Sequence, residues 1–213
     1  SLTEGVVRRA AAAGATALVL TGDTPVLGRK PRQGTPPFTD EMLFANLPSR
    51  EGTRRERYEA IDQDPSITLQ TIRCLRETSG LPVLVKGVLR VDDANACVEA
   101  GAAGIVVSNH GGRQLDRAVA TAVALPDIAT AVGDRVPVLV DGGIRTGVDI
   151  LIALALGARA VLIGRPVLWA LATDGADGVA ALLVALRDDL VHAMALAGVT
   201  SIADVARNLI VVD

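Results

Sequence analysis

Residues 101–108 read GAAGIVVS, which is a helix stop followed at once by a short apolar strand. The same unit appears as GATALVLT at residues 14–21 and as GARAVLIG at residues 157–164. Glycine suits the left-handed residue that ends a helix, and a continuous aliphatic run suits a buried parallel strand. Two more such runs follow proline, namely LPVLVK at residues 81–86 and VPVLVD at residues 136–141. The repetition predicts five parallel strands.

The segments between these runs have helical periodicity. One predicted helix begins at residues 92–94, another begins at residues 146–151, and a long terminal helix covers residues 178–196. Alternating strands and helices predict an α/β fold, and the strand spacing is that of a (β/α)8 TIM barrel. Such a barrel has eight strands over about 250 residues. We therefore expect residues 1–213 to be a single domain, the carboxyl-terminal portion of a barrel whose amino-terminal segment is its missing partner.

The composition excludes several classes of protein. Half of the 213 residues are hydrophobic, the net charge is −3, and only 2% of the residues are aromatic. No apolar run reaches the roughly 18 to 20 residues of a membrane span, and an acidic chain with few aromatics is a poor nucleic-acid binder. Cys74 and Cys97 lack the spacing of metal ligands and are expected to be free thiols of a reducing cytoplasm. The composition thus favours small-molecule chemistry without a metal.

Residues 29–64 interrupt the strand and helix pattern. The stretch is polar and charged, and it contains both proline and glycine. It is either a solvated linker or a long active-site loop, because long irregular loops inside compact domains are often functional.

Polar residues follow the strands, at the end of a parallel barrel where reactive groups lie. His110 comes directly after one strand, and its imidazole can accept a proton near neutral pH. Asp23 follows another strand, and an aspartate can orient an imidazole and stabilise its charged form. Arg113 can hold a carboxylate through two parallel hydrogen bonds. Lys86 ends an apolar strand, so it is either paired with an aspartate or placed beside an anion that forms on a ligand.

The last two strands end in residues that suit a phosphate group. They are DGGIR at residues 141–145 and GR at residues 164–165. Barrels frequently bind phosphate at their seventh and eighth strands, where glycines permit close approach and arginines add charge. A tight turn is the alternative for either segment alone, but the presence of both favours a phosphate site.

The motif at residues 108–116, SNHGGRQLD, is the most specific in the chain. Together with LVKG at residues 84–87 and the two segments above, it resembles the FMN-dependent 2-hydroxy acid oxidases and dehydrogenases, which include enzymes that oxidise glycolate, lactate and mandelate. The resemblance covers the chain from Ala15 onward. It implies FMN as the cofactor, oxidation of a 2-hydroxy acid to a 2-keto acid, and a homo-oligomer.

The resemblance also implies a role for each site residue. His110 takes the hydroxyl proton as hydride passes to the flavin, Asp23 pairs with His110, and Arg113 holds the substrate carboxylate. Lys86 stabilises the negative charge of the reduced flavin ring. The residues implied in cofactor binding are Thr21, Lys86, Ser108, Asp141, Gly142, Gly143, Arg145, Gly164 and Arg165. Lys30 stands where the family usually has a substrate-binding arginine, so it offers the substrate a point charge instead of a planar fork.

Two alternatives fit the same residues. A barrel that binds a flavin or another phosphate compound could act on a different class of substrate, such as an amine. The His110 and Arg113 pair favours a hydroxyl beside a carboxylate over this alternative. The second alternative is a fragment that folds only with the missing strands and catalyses nothing.

Overall fold

The computed structural model describes residues 2–28 and 64–210, together with Thr39, Met42 and Ala45. Most of the predicted loop at 29–64, including Lys30, therefore lies outside the described residues. Within the described part of the chain, no helix is long and apolar enough to cross a membrane.

A five-stranded parallel sheet forms the centre of the molecule, as the repeated unit predicts. The order of the strands in the sheet is β1-β2-β3-β4-β5, so each strand pairs with the next one along the sequence. This is the order of consecutive strands in a (β/α)8 barrel. The strands are β1 (Leu18–Thr21), β2 (Val83–Val88), β3 (Gly104–Val107), β4 (Val138–Asp141) and β5 (Ala160–Leu162).

Helices connect the strands and cover one face of the sheet. The described helices are α1 (Leu2–Ala12), α2 (Leu69–Ser79), α3 (Val91–Glu99), α4 (Thr121–Val132), α5 (Gly147–Ala155) and α6 (Arg165–Leu196), with short 3-10 turns at Ile202–Asp204 and Arg207–Leu209. The three glycines that open the repeated unit have left-handed backbones, with φ of 92° at Gly14, 97° at Gly101 and 101° at Gly157. A residue with a side chain is strained there, which explains why glycine recurs at each helix stop.

The core lies between the middle strands and the helices. All four residues of β3 are buried, and Ile105 and Val107 are fully inaccessible. Ile72 of α2 and Ile128 of α4 pack into the same cluster. The outer strands are less covered, since Val19 in β1 is 54% exposed. The sheet is therefore well buried at its centre and open at β1 and β5 in the described part of the chain.

The terminal helix differs from the prediction. It begins at Arg165, and non-helical angles at Asp174 and Gly175 divide it into two segments, of which the second contains the predicted helix at 178–196. Pro166 in the first turn supports this early start, because the ring fixes φ near the helical value and the missing N–H has no intrahelical partner there. The chain thus turns from β5 directly into a helix, whose amino end lies beside the predicted phosphate segment.

We expect Gly147→Ala to lower the free energy of unfolding by about 1–3 kcal/mol, the usual cost of overpacking. Gly147 is the buried first residue of α5, and an added Cβ would overlap the backbone of Asp189 and Leu190 in α6. Urea unfolding measures the effect. Gly5→Ala is the matched control, since a Cβ at this exposed position in α1 meets nothing within 4 Å. Equal stabilities of the two variants would contradict the close contact between α5 and α6.

Candidate active site

A cavity of about 520 Å³ lies at the carboxyl ends of the strands and brings together most of the predicted site residues. Its volume is within the range of about 300–1,000 Å³ that is usual for small-molecule sites. The predicted residues that line it are Lys86, His110, Arg113, Asp141, Gly142, Gly143, Arg145, Gly164 and Arg165. His110 and Arg113 therefore face one space. His192 lies elsewhere, exposed on α6.

His110 and Asp23 form the pair that the sequence predicts. Nδ1 of His110 lies 3.3 Å from Oδ1 of Asp23, with 37% of the histidine side chain and 14% of the aspartate side chain exposed. Because Nδ1 faces the carboxylate, Nε2 is the ring nitrogen that is left to exchange a proton with a ligand. The half-exposed imidazole and the buried carboxylate are the arrangement of a general base and its orienting group.

The backbone at His110 is held in an unusual conformation. Its φ is 57°, a left-handed value that costs a residue with a side chain about 1–2 kcal/mol. Ser108 stabilises the turn, since its hydroxyl accepts a hydrogen bond of 3.1 Å from the His110 N–H. Asn109 also contributes, because it accepts from the Gly112 N–H at 3.1 Å and donates to the Val119 carbonyl at 3.2 Å. No sequence pattern near Asn109 predicts its contact with Val119, which is ten residues further along the chain.

Lys86 is paired with an aspartate, the first of its two predicted placements. Its Nζ lies 3.1 Å from Oδ2 of Asp141 and donates a hydrogen bond of 2.9 Å to the Ser108 hydroxyl. The Lys86 and Asp141 side chains are only 18% and 17% exposed. The register of β1 and β2 places Thr21 opposite Lys86, so Thr21 ends at the same edge of the sheet. Residues at the ends of four neighbouring strands, β1 to β4, thus lie at one edge of the sheet.

Two carboxylate oxygens in the site have no partner. They are Oδ2 of Asp23 and Oδ1 of Asp141, both buried and without a hydrogen bond among the described residues. A buried acceptor that makes no hydrogen bond costs about 1–3 kcal/mol, so such atoms in a native fold need an explanation. A ligand with hydroxyl or N–H donors would satisfy them.

Part of the cavity lining is rich in positive charge and accessible backbone. Arg165 begins α6, whose first N–H groups have no partner within the helix, and its side chain donates to the Gly111 carbonyl at 3.3 Å. Added Cβ atoms at Gly143 and Gly164 would meet nothing within 4 Å, so a ligand can approach the backbone there. Arg145 adds a second guanidinium. These are the features of a phosphate-binding site.

Arg145 is positioned by two contacts. Its guanidinium carbon lies 5.3 Å from the centre of the Trp169 ring, within the distance of a cation–π interaction. Its backbone N–H donates to the Asp149 carboxylate at 2.9 Å, and Thr146 donates to the same carboxylate through its N–H and its hydroxyl. Burial raises the pKa of Asp149, but these hydrogen bonds and the positive charge of Arg145 outweigh it and hold the pKa below its usual value. The carboxylate is therefore charged at neutral pH and fixes the turn that carries Arg145.

Thr121 and Gly87 are further supporting residues to which the sequence analysis assigned no role. The buried Thr121 hydroxyl donates to the Asp141 carbonyl at 2.6 Å, which holds the start of the glycine segment. An added Cβ at Gly87 would lie 2.5 Å from the Asp23 side chain, so glycine leaves room for that aspartate. Nothing local indicated the contact between Gly87 and Asp23.

The chain is similar in sequence to a known family and to several characterised proteins. The sequence profile described as FMN-dependent dehydrogenase matches residues 1–212. L-lactate oxidase of Nostoc sp. is 46% identical over 215 residues, which cover 96% of this chain and 59% of that protein. Glycolate oxidase 1 of Oryza sativa subsp. indica is 44% identical over 223 residues, which cover 100% of this chain and 60% of that protein. The chain thus spans about three fifths of the length of the curated relatives it matches.

The chain is also similar to solved structures of lactate and mandelate oxidases. Lactate oxidase of Pediococcus acidilactici superposes with a TM-score of 0.85 at 38% identity and covers 97% of this chain and 56% of that chain. Mandelate oxidase with 3,3-difluoro-2-hydroxy-3-phenylpropionic acid superposes with a TM-score of 0.78 at 44% identity, covering 97% of this chain and 58% of that chain. Another mandelate oxidase structure contains a monooxide FMN adduct and has a TM-score of 0.77 at 45% identity, covering 96% and 57% of the two chains.

Proposed function

Because this chain belongs to the FMN-dependent dehydrogenase family, we propose that the intact protein oxidises a 2-hydroxy acid to a 2-keto acid with FMN as its cofactor. One observation carries the proposal beyond family membership. His110, which is paired with Asp23, lines the same cavity as Arg113, and these are the groups that a hydroxyl beside a carboxylate requires. The relatives named as lactate, glycolate and mandelate oxidases support the same class of substrate.

The residues of the cavity fit FMN. The positive end, with Arg145, Arg165 and the amino end of α6, suits the phosphate. Oδ1 of Asp141 is buried without a partner among the described residues and suits a ribityl hydroxyl as its donor. Lys86 lines the cavity and would bring a positive charge to the flavin ring. Ser108 and Thr21 do not line it: the buried Ser108 hydroxyl accepts a hydrogen bond from Lys86, and Thr21 lies opposite Lys86 in the sheet. Gly143 and Gly164 leave the backbone accessible to the ribityl phosphate, whereas an added Cβ at Gly142 would lie 2.9 Å from the Thr121 hydroxyl.

FMN, when bound, supplies a two-electron acceptor for the hydride that leaves the substrate α-carbon. Arg113 binds the substrate carboxylate, since its guanidinium lines the cavity and has no ion pair among the described residues. Nε2 of His110 takes the hydroxyl proton as the C–H bond breaks and the keto group forms. The Asp23 carboxylate, 3.3 Å from Nδ1, stabilises the resulting imidazolium. Hydride and proton together account for the two hydrogens that the substrate loses.

We also propose that a further segment of the intact protein completes the barrel. The relatives are longer by about two fifths of their length, and β1 and β5 each pair with a single strand in the described part of the chain. Unpaired edges and exposed apolar side chains such as Val19 are costly in a parallel sheet. The remaining strands of an eight-stranded barrel would cover both.

A homo-oligomer located in the cytoplasm is the proposed state of the protein. Leu168, Trp169 and Leu171 on α6 are each more than half exposed, and exposed apolar patches often mark protein contacts. Cys74 and Cys97 are both free, as is usual in a reducing compartment. Light scattering tests the oligomeric state, and cell fractionation tests the location of the protein. A monomeric mass or recovery outside the cytoplasm would contradict them.

Anaerobic reduction of the bound flavin tests the proposed activity. Glycolate, L-lactate and (S)-mandelate are mixed with the intact protein, and loss of the flavin's visible absorbance is followed. Acetate, propionate and phenylacetate are the matched controls, because each lacks only the hydroxyl group. We expect bleaching by at least one hydroxy acid and by none of the controls. Bleaching by 2-amino acids alone would identify a different substrate class, and a protein that binds no FMN would overturn the proposal. Oxygen admitted afterwards distinguishes an oxidase from a dehydrogenase.

A further inference from the structure

Gln114 joins the two loops that carry the His110–Asp23 pair. Its Nε2 donates hydrogen bonds to the carbonyls of Asp23 at 2.9 Å and Val26 at 3.1 Å. Its Oε1 accepts a hydrogen bond of 3.3 Å from the Gly28 N–H. The orientation of the amide follows from these partners, because only the NH₂ group can donate to two carbonyls. One side chain from the loop after β3 therefore binds three backbone groups of the loop after β1.

The two loops are also in direct backbone contact. An added Cβ at Gly28 would lie 2.6 Å from the Arg113 carbonyl oxygen and 2.8 Å from the Gln114 Cα. A Cβ carbon essentially never approaches another heavy atom this closely, so any side chain at residue 28 would push the loops apart. Gly28 therefore permits the approach, and the amide of Gln114 holds it.

The Asp23 carboxylate depends on this contact for its position. Oδ1 faces His110 at 3.3 Å, and Oδ2 has no hydrogen bond among the described residues. Because the carboxylate has a single hydrogen-bond partner, its position depends mainly on the position of the Asp23 backbone. Gln114 binds the carbonyl of Asp23 and so holds that backbone. A displacement of about 1 Å in a catalytic group can lower a rate about 100-fold.

We propose that Gln114 is a positioning residue that holds Asp23 against His110, and this inference rests on the proposed function of that pair. Gln114 contacts neither the substrate nor the flavin in this role. It acts through the Asp23 backbone, so its contribution exists only while Asp23 carries a carboxylate that can bind His110.

Gln114→Glu in the intact protein tests the inference, because it keeps the shape of the side chain and turns the donor into an acceptor that faces two carbonyls. We expect kcat for oxidation of the hydroxy acid to fall about 10- to 100-fold, with flavin still bound. Gln70→Glu, the same change at an exposed position in α2, serves as the control and is expected to leave kcat unchanged. An unchanged kcat in Gln114→Glu would overturn the inference.

A double-mutant cycle with Asp23→Asn separates positioning from general loss of structure. If Gln114 acts through Asp23, Gln114→Glu in the Asp23→Asn background should change kcat by less than about 2-fold, the spread expected around an absent interaction. A full 10- to 100-fold further loss would assign Gln114 a structural role instead. Gly28→Ala perturbs the same contact from the other loop, and it should repeat the pattern if Gln114→Glu fails to fold.

The imidazole nitrogen NMR spectrum gives a readout that does not depend on turnover. The His110 Nδ1 signal should change in the same direction in Gln114→Glu and Asp23→Asn, while the signal of His192, exposed on α6, should not. A His110 signal that moves in Asp23→Asn but not in Gln114→Glu would overturn the inference. If the hydroxy acids fail to reduce the flavin but the NMR result holds, the proposed function fails and the positioning of Asp23 by Gln114 stands.

Discussion

His110→Ala should slow anaerobic reduction of the flavin by a 2-hydroxy acid by about 10²- to 10⁴-fold, the usual contribution of a positioned general base. The substrate hydroxyl would then have no imidazole to take its proton. Flavin should remain bound, because the groups assigned to its phosphate, namely Arg145, Arg165 and the amino end of α6, are unchanged in this variant. Stopped-flow absorbance of the flavin measures the rate, and the ratio of flavin to protein measures binding.

His192→Ala is the matched control for this variant. His192 is exposed on α6 and does not line the cavity, so the rate should equal that of the unaltered protein. A His110→Ala variant that is reduced at the normal rate with flavin bound would remove the base from the mechanism. Loss of the flavin from that variant would instead place His110 among the groups that hold the cofactor.

Lys86→Met should lower the free energy of unfolding by about 1–3 kcal/mol, because it leaves the half-buried Asp141 carboxylate without its partner. The Asp141 carboxylate would keep its charge without its lysine, and its Oδ1 already lacks a hydrogen bond among the described residues. Ser108 would lose a donor as well. Urea unfolding followed by circular dichroism measures the change.

Two comparisons make the Lys86 result specific. Arg187→Met breaks an exposed pair with Asp188, whose side chains are 69% and 60% exposed, and should cost less than about 1 kcal/mol. The double variant Lys86→Met/Asp141→Leu removes both charges and should recover most of the loss, since an apolar replacement of both partners is often neutral. Equal losses in Lys86→Met and Arg187→Met would mean that the site tolerates a lone carboxylate.

Much of the fold follows from the local pattern of the chain. All five strands were predicted, and their order in the sheet is that of the sequence. Their ends differ from the apolar runs by at most two residues, as in the run at 81–86, which forms the strand Val83–Val88. An apolar run in the sequence indicates which residues are buried, whereas a strand ends where its backbone hydrogen bonds to the neighbouring strand end. The predicted helix at 178–196 lies in the segment of α6 after the kink, whereas the segment from Arg165 to the kink was not predicted.

The candidate site was predicted in its residues but not in its contacts. The sequence placed His110, Arg113, Asp141 and Arg165 at strand ends, and the structure brings them to one cavity. It could not choose between two placements of Lys86, because the answer depends on Asp141, two strands away in the sheet. It assigned no role to Gln114, whose three partners are 86 to 91 residues distant.

The amino-acid sequence by itself determined which segments become strands, which residues follow them and what chemistry those residues can perform. Helix and strand periodicity depend on neighbours within a few positions, so a single chain displays them directly. Tertiary structure decided which groups come into contact. Lys86 pairs with Asp141, Gln114 binds the Asp23 backbone, and Gly147 packs against α6. These contacts depend on strand register and helix packing, which place residues side by side that are far apart along the chain.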